Sequence, residues 1–349
     1  MSDTNLLINN LLDQYFKDNI ADAGEINKDY VRLWQELHRL FKSGGKRLRP
    51  KMTFMTYLAY GGQDLENIAP IAAAHELLHL SLLIHDDVID RDYRRYGVLN
   101  IAGSYQQHYD HLVTNEATRT HYAHGAAILG GDLLISGAYQ MISKSSINYA
   151  LKDKVSTVVG RAIFEVAGGE LLDTESAFRP KNEIDSLSIA RYKTASYSFI
   201  GPLLSGALLA DASKEQCQLV SSFASNLGIA YQLQDDILGV YGDESETGKS
   251  NVSDLLEGKH TFLVDSLHAL ASQDQLETFN QHFGNQQAGQ EQINIVKQLL
   301  KTTGALDHTL DKLHEYESAA RTNLESMEIS DESKKLFESL ITESLKRQK

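Results

Sequence analysis

The chain is poor in cysteine, proline, positive charge and long apolar runs. Cys217 stands alone among 349 residues, so no intramolecular disulfide framework exists, and a reducing, cytoplasmic setting is expected. Lys and Arg number 33 against 47 Asp and Glu, a formal net charge of −14, which argues against a nucleic-acid backbone as partner. No uninterrupted apolar run approaches the roughly 18 residues of a membrane span. The opening Met-Ser-Asp-Thr-Asn has no basic segment followed by an apolar one, so no span and no signal peptide are expected. Only four prolines occur, Pro50, Pro70, Pro180 and Pro202. Proline breaks helix interiors, so the stretches from Pro70 to Pro180 and beyond Pro202 permit long helices.

What is present agrees. Hydrophobic residues make up 42% and charged residues 23%, a globular composition long enough for a large core. Ile68, Ile71, Ala72, His75, Leu78, Leu82 and His85 recur at three- and four-residue steps, as do Leu299, Leu300, Leu306, Leu310, Leu313 and Tyr316. Alternating strand patterns closed by Asn-Gly or Asp-Gly turns are missing. The fold class expected is all-α, a bundle of ten or more long helices around a central cavity. Breaks are expected at Gly61-Gly62, Tyr96-Gly97, Phe178-Arg179-Pro180, Gly242 to Lys249 and Gly284 to Gly289. None has the composition of an interdomain linker and no internal repeat is visible, so residues 1–349 read as a single domain. The polar stretch from Gly103 to His124, rich in Tyr, His and Gln, reads as a surface excursion.

Two carboxylate clusters carry the chemistry. In Leu83-Ile84-His85-Asp86-Asp87-Val88-Ile89-Asp90, Asp86 and Asp90 are four apart and share a helix face, with Asp87 beside them. Carboxylates leaving an apolar helix are costly without a cationic partner. A hard, oxygen-seeking ion such as Mg²⁺ suits them, since it binds through one or two carboxylates plus substrate phosphates. A solvated helix end is the alternative for this cluster alone. Tyr231-Gln232-Leu233-Gln234-Asp235-Asp236 repeats the pattern after a second apolar run.

Basic residues that could grip phosphate lie in Gly44-Gly45-Lys46-Arg47-Leu48-Arg49-Pro50, where glycines admit an anion and arginine offers a bidentate fork. This is no nucleotide P-loop, and Gly242 to Ser250 misses that spacing by one residue. Further lysines stand in Tyr192-Lys193-Thr194 and Gly258-Lys259-His260; each taken singly reads as a solvated charge. His75-Glu76-Leu77-Leu78-His79 spells the zinc-hydrolase motif. The same helix delivers Asp86 seven residues on, so a packed or substrate-facing histidine is the better reading. His108/His111 and His121/His124 have i,i+3 spacing but no cysteine support for a metal.

Together these motifs, with Gly131-Asp132, Gly169-Glu170-x-x-Asp173, Lys193-Thr194, Gly248-Lys249 and Asp254-x-x-x-Gly-Lys259, resemble the trans-isoprenyl diphosphate synthases, or polyprenyl synthetases, from about residue 40 to about 265. The resemblance implies a helical bundle around a deep cavity, usually a homodimer. It implies head-to-tail joining of isopentenyl diphosphate to an allylic diphosphate (dimethylallyl, geranyl or farnesyl) with release of pyrophosphate. By the same resemblance Asp86, Asp90 and Asp235 are the principal Mg²⁺ ligands. Asp87 and Asp173 support them, and Asp236 is a secondary carboxylate. Lys193, Lys249, Lys259 and Arg95 would stabilise the leaving diphosphate, and Gln232 and Thr194 would face the carbocation. Lys46, Arg49 and His79 match the isopentenyl diphosphate site.

Some positions depart from the family pattern. Gly239 stands where a third aspartate is usual, and Glu170 where glutamine is common. Arg95-Tyr96-Gly97 replaces Arg-Arg-Gly, leaving Arg94 as a substitute for the second arginine. Ser81 and Leu82 stand where short-chain members place bulky aromatics, so a product of twenty carbons or more is expected, geranylgeranyl diphosphate first. Three other readings compete. A class I terpene cyclase would have no use for Lys46, Arg49 and His79, an inactive subunit of a two-protein synthase would not turn over alone, and a zinc hydrolase would lose activity with its metal.

Overall fold

A computed structural model describes residues 2–176, 178, 185–242, 255–256 and 258–346, and fourteen helices lie among them. In order they are α1 (Ser2–Gly24), α2 (Lys28–Ser43), α3 (Leu48–Ala59), α4 (Leu65–Ile89), α5 (Ile101–Tyr109), α6 (Glu116–Lys144) and α7 (Tyr149–Ser176). Next comes α8, continuous but of mixed pitch: α over Ser186–Ile189, π over Ala190–Ile200, and α again over Gly201–Leu209. Then follow α9 (Lys214–Tyr241), α10 (Phe262–Leu270), α11 (Gln273–His282), α12 (Gln290–Thr302), α13 (Ala305–Glu325) and α14 (Asp331–Leu345). Helix starts follow their capping chemistry. Asn27, Asp64, Asn115 and Ser213 each accept the backbone N–H three residues on, satisfying a donor the helix leaves open.

The all-α expectation holds with one addition. Arg94–Arg95 (β1) pairs antiparallel with Val98–Leu99 (β2), closed by Tyr96 and Gly97. Two residues per strand are too few for alternation to register in a sequence. The stretch from Gly103 to His124 is also more ordered than a surface excursion. It contains most of α5 and the start of α6, and Tyr105 is buried.

The chain forms two compact units. The first comprises residues 1–159 and 202–212, the second 160–201 and 213–349. In the first, α4 is the axis. Ile71, Ala72, Ala73, Ala74, Leu77 and Leu78 are buried, and the helix packs chiefly on α6, with α3 and α1 beside it. An 18-residue window of α4 has a mean hydropathy of 1.3, and 72% of it is buried in protein. By length and composition alone α4 could cross a bilayer. Averaging over 18 residues passes where a search for an unbroken apolar run stops at His75-Glu76 and His79. In the second unit α9 is the axis, packing on α13 and on the π segment of α8. Phe223, Leu227, Ala230 and Leu233 are buried on its inner faces.

Candidate active site

The last turn of α4 carries Asp86 and Asp87, and Asp90 is its C-cap. Carboxylate oxygens of Asp86 and Asp90 lie within 4.8 Å of each other, as i,i+4 spacing requires. Asp86 is half-buried and Asp90 exposed. Asp87 points inward and accepts a hydrogen bond from Arg95 Nε at 2.7 Å, while Arg95 Nη2 lies 3.2 Å from Asp86 Oδ2. Burial lifts Asp87 to about 6 against the pull of Arg95. Burial also disfavours the Arg95 charge, but Asp87 and Asp86 more than restore it, so the guanidinium stays protonated. One cation thus clasps two carboxylates and leaves Asp90 toward solvent. An all-oxygen pair opening to water, with one anion already neutralised beside it, suits a hard divalent cation.

The hairpin explains why Arg94 and Arg95 differ. Successive strand residues face opposite sides. Arg95 meets Asp86 and Asp87, whereas Arg94 is exposed, bonds the Gly97 carbonyl at 3.3 Å, and lines a separate groove of about 400 Å³ with Tyr93, Gln106, Asp110 and Arg119.

A cationic nest lies in the same unit. Arg47 opens α3 with φ of 52° and is tied down completely. It donates to the carbonyls of Phe41 and Gly44, to Asn9 Oδ1 and, at 3.0 Å, to buried Glu76 Oε1, and it stacks on the Phe41 ring. Sequence reading placed Arg47 among possible phosphate ligands and Glu76 in the zinc motif, and missed that they pair. Their one signal was a glutamate in the middle of an apolar helix, which demands a buried cation. His79 is half-buried, and desolvation together with Arg49, Arg95 and Arg47 pushes its pKa well below the ordinary value. It is neutral at pH 7. Arg49 is half-buried and Lys46 exposed. His75 bonds Ser205 Oγ at 2.9 Å, and its pKa falls to about 3 through burial first and Arg49 second. Zinc would face three guanidiniums here, so the spelling of the zinc motif is a packing coincidence. Among the described residues, His108, His111, His121 and His124 enter no metal-competent group; His108 and His111 meet edge to face.

In the second unit, α7 presents Glu170 and Asp173 one turn apart. Lys193 Nζ lies 2.6 Å from Asp173 Oδ2 and 2.9 Å from Glu170 Oε2. The π segment of α8 makes this reach possible. A Cβ on Gly169 would lie 2.3 Å from the backbone nitrogen of Lys193, so only glycine lets α7 approach so closely. Thr194 donates to Gln232 Oε1 at 2.6 Å, and Gln232 Nε2 donates to Asp236 at 2.8 Å. Asp236 is buried by these contacts and Asp235, one position earlier on α9, is half-buried. Glu170, named in the sequence within Gly169-Glu170-x-x-Asp173 and as a departure from glutamine but given no role, shares Lys193 with Asp173, as their i,i+3 spacing allows. Lys259 is half-buried. Lys249, with Gly248 and Asp254 of its motifs, lies outside the described residues.

Comparison with known proteins gives the arrangement a context. The polyprenyl synthetase family model matches residues 31–302. Geranylgeranyl diphosphate synthase of Sulfolobus acidocaldarius is 32% identical over 312 residues, 87% of this chain and 88% of that one. Geranylfarnesyl diphosphate synthase of Aeropyrum pernix is 31% identical over 347 residues, 97% of this chain and all of that one. Among solved structures, geranylgeranyl pyrophosphate synthase from Corynebacterium glutamicum, complexed with isoprenyl diphosphate and magnesium, superposes with a TM-score of 0.89 at 26% identity, covering 99% and 98% of the two chains. With its helical fold and two acidic clusters clasped by cations, this chain belongs to the polyprenyl synthetase family and is a prenyltransferase of the isoprenoid synthase fold.

Proposed function

We propose that the chain, acting as one domain over residues 1–349, condenses isopentenyl diphosphate with an allylic diphosphate to a product of twenty carbons or more, geranylgeranyl diphosphate first. The observation that carries this is the clasp at the end of α4, where Arg95 holds Asp86 and Asp87 and the exposed Asp90 carboxylate lies within 4.8 Å of that of Asp86. Such a cluster has carboxylates for a metal and a cation for the phosphate that arrives with it.

When bound, Mg²⁺ supplies Lewis-acid stabilisation of the diphosphate leaving group. Asp86, Asp90 and Asp235 would hold it, with Asp87, Asp173 and Asp236 in support. Arg95, Lys193, Lys249 and Lys259 stabilise the negative charge that grows as the allylic C1–O bond breaks, a preorganised electrostatic effect. The Thr194–Gln232 pair presents neutral oxygen dipoles to the allylic cation. Neutral His79, with Arg49 and Lys46, positions isopentenyl diphosphate so that its double bond attacks C1. The C–C bond forms, a proton leaves the adjacent carbon, and released pyrophosphate is basic enough to accept it.

Product length is read from Ser81, five residues before Asp86. It is fully buried and its Oγ makes no hydrogen bond among the described residues, so a small side chain stands where an aromatic would fill space. Relatives making C20 and C25 products match over most of the chain, in keeping with a long product. A cytoplasmic homodimer completes the proposal. Exposed Ile128 and Leu129 on α6, and Phe164, Leu171 and Leu172 on α7, offer apolar surface for a second copy.

The purified chain is supplied with isopentenyl diphosphate, each allylic starter and Mg²⁺, and products are read by mass spectrometry. Products of twenty carbons or more are expected, lost on chelation and shortened by Ser81→Phe. A product that stops at fifteen carbons in the parent chain sinks the Ser81 argument. A hydrocarbon made without isopentenyl diphosphate would point to a cyclase.

A further inference from the structure

Lys259 and His260 belong to no helix, so their place is set by contacts and not by a backbone ladder. Two glycines fix the chain on one side. Gly258 has φ of 71°, and a Cβ there would lie 3.0 Å from Gly284 Cα, while the Gly284 N–H donates to the Leu255 carbonyl at 2.9 Å. His260 fixes the chain on the other side. It is only 5% exposed, so water does not serve its ring nitrogens. Nδ1 lies 3.1 Å from Asp265 Oδ1 without the alignment of a hydrogen bond, and Nε2 has no hydrogen-bond partner among the described residues. Burying an imidazole on such terms is unfavourable, and packing alone would be better served by an apolar side chain.

Asp265 stands in the first turn of α10 and reaches a second element. Its Oδ2 accepts from the Ser186 hydroxyl and, at 3.4 Å, from the Ser186 N–H. Ser186 is buried and opens α8, where the first N–H groups have no partner within the helix. Asp185 takes the N–H of Ser188 and Asp265 that of Ser186, so the start of α8 is held by its own cap and by α10. Seven and eight residues on, the same helix carries Lys193 and Thr194. One carboxylate therefore has two arms, one to the helix of Lys193 and one to the segment of Lys259.

We propose that Asp265 is a positioning residue for the leaving diphosphate. Through Ser186 it sets the first turns of α8 and so Lys193; through His260 it sets the segment that presents Lys259. It thereby fixes the spacing of two cations, and cations aimed in advance need no reorganisation when charge develops on the leaving group. This rests on the condensation reading above, in which both lysines meet the leaving diphosphate, and the test separates the two.

The test compares the full-length parent chain with Asp265→Ala, Asp265→Asn, Ser186→Ala and His260→Phe in turnover with Mg²⁺, and uses inorganic pyrophosphate as an inhibitor that probes the two lysines. Ala cuts both arms, Asn keeps an acceptor for Ser186, and the other two variants cut one arm each. In Asp265→Ala, kcat should fall and pyrophosphate should inhibit more weakly, each by about tenfold, the scale of losing a supporting residue behind a binding group. The KM for isopentenyl diphosphate, whose proposed contacts lie elsewhere, should stay as in the parent. Asp265→Asn should recover most of the loss, and the single-arm variants should fall between. A structural role alone would lower the melting temperature and leave kcat and pyrophosphate inhibition at parental values in assays run well below it. That result, or an equal change in the KM for isopentenyl diphosphate, overturns the proposal and leaves the condensation reading intact. Should Asp265→Ala fail to fold, the single-arm variants decide on the same readouts. A parent chain that does not consume isopentenyl diphosphate overturns both.

Discussion

Arg47 and Glu76 show how one residue pair sets a site without touching its chemistry. Both side chains are about nine-tenths buried and 3.0 Å apart, and Arg47 also closes the Gly44 turn. Removing one partner of a buried pair leaves the other charge uncompensated, at a cost of about 3–5 kcal/mol. Arg47→Met should therefore lower the unfolding free energy by that amount, whereas Arg47→Met with Glu76→Met should recover much of it; urea denaturation of both variants checks this. His75 gives the chain an acid limit. Its folded pKa of about 3 lies below the ordinary histidine value of 6.5, because burial and Arg49 disfavour the charged ring. The unfolded chain then takes up the proton first. Stability is full above pH 6.5 and is lost as pH falls toward the folded pKa, with a slope approaching ~1.4 kcal/mol per pH unit. His79 acts in the same direction. His75→Gln, which can still bond Ser205, should flatten the fall between pH 7 and about 5 in melts at stepped pH.

Among the elements, α8 is decisive. Its π segment places consecutive residues Lys193 and Thr194 on separate tasks, the lysine on Asp173 and the threonine on Gln232. π pitch is rare and often marks functional positions. Here it returns to α pitch at Gly201-Pro202, where the proline supplies no N–H to either ladder. Gly169 holds α7 against this segment. Gly169→Ala would thrust a methyl to 2.3 Å from the Lys193 backbone nitrogen, forcing the helices apart. Overpacking of this kind costs about 1–3 kcal/mol. The displaced Lys193 should lower kcat more than it raises KM for isopentenyl diphosphate, whose proposed contacts lie elsewhere; steady-state kinetics decides. An unchanged kcat would show that the close approach is only packing. None of this was legible in Tyr192-Lys193-Thr194, because π and α pitch draw on the same residues and the clasp needs α7, some twenty positions away.

At the scale of the molecule, a net charge of −14 coexists with a reaction on two polyanions. The clusters resolve the conflict locally. Part of the acidity sits in Asp86, Asp87 and Asp90, where Arg95 already neutralises some of it. Bulk charge governs approach and solubility, and local placement governs binding. The exposed apolar residues of α6 and α7 carry the whole-molecule prediction. Sedimentation equilibrium should find a dimer, and Leu129→Asp with Phe164→Asp should shift it toward monomer without loss of helical circular dichroism. A parent chain that sediments as a monomer removes the homodimer from the proposal.

The sequence by itself determined the helical class, because four prolines and a three-to-four periodicity leave little else for 349 residues to form. It determined the acidic motifs too, since i,i+4 spacing on a helix is geometry that needs no partner. Tertiary structure decided the pairings: Arg95 rather than Arg94 on the carboxylates, Arg47 on Glu76, Lys193 on Glu170 and Asp173, Ser186 and His260 on Asp265. Each joins residues that local propensity treats independently. The choice among partners is made by burial, which makes an unpaired charge costly, and by which backbone can come close enough to supply its mate.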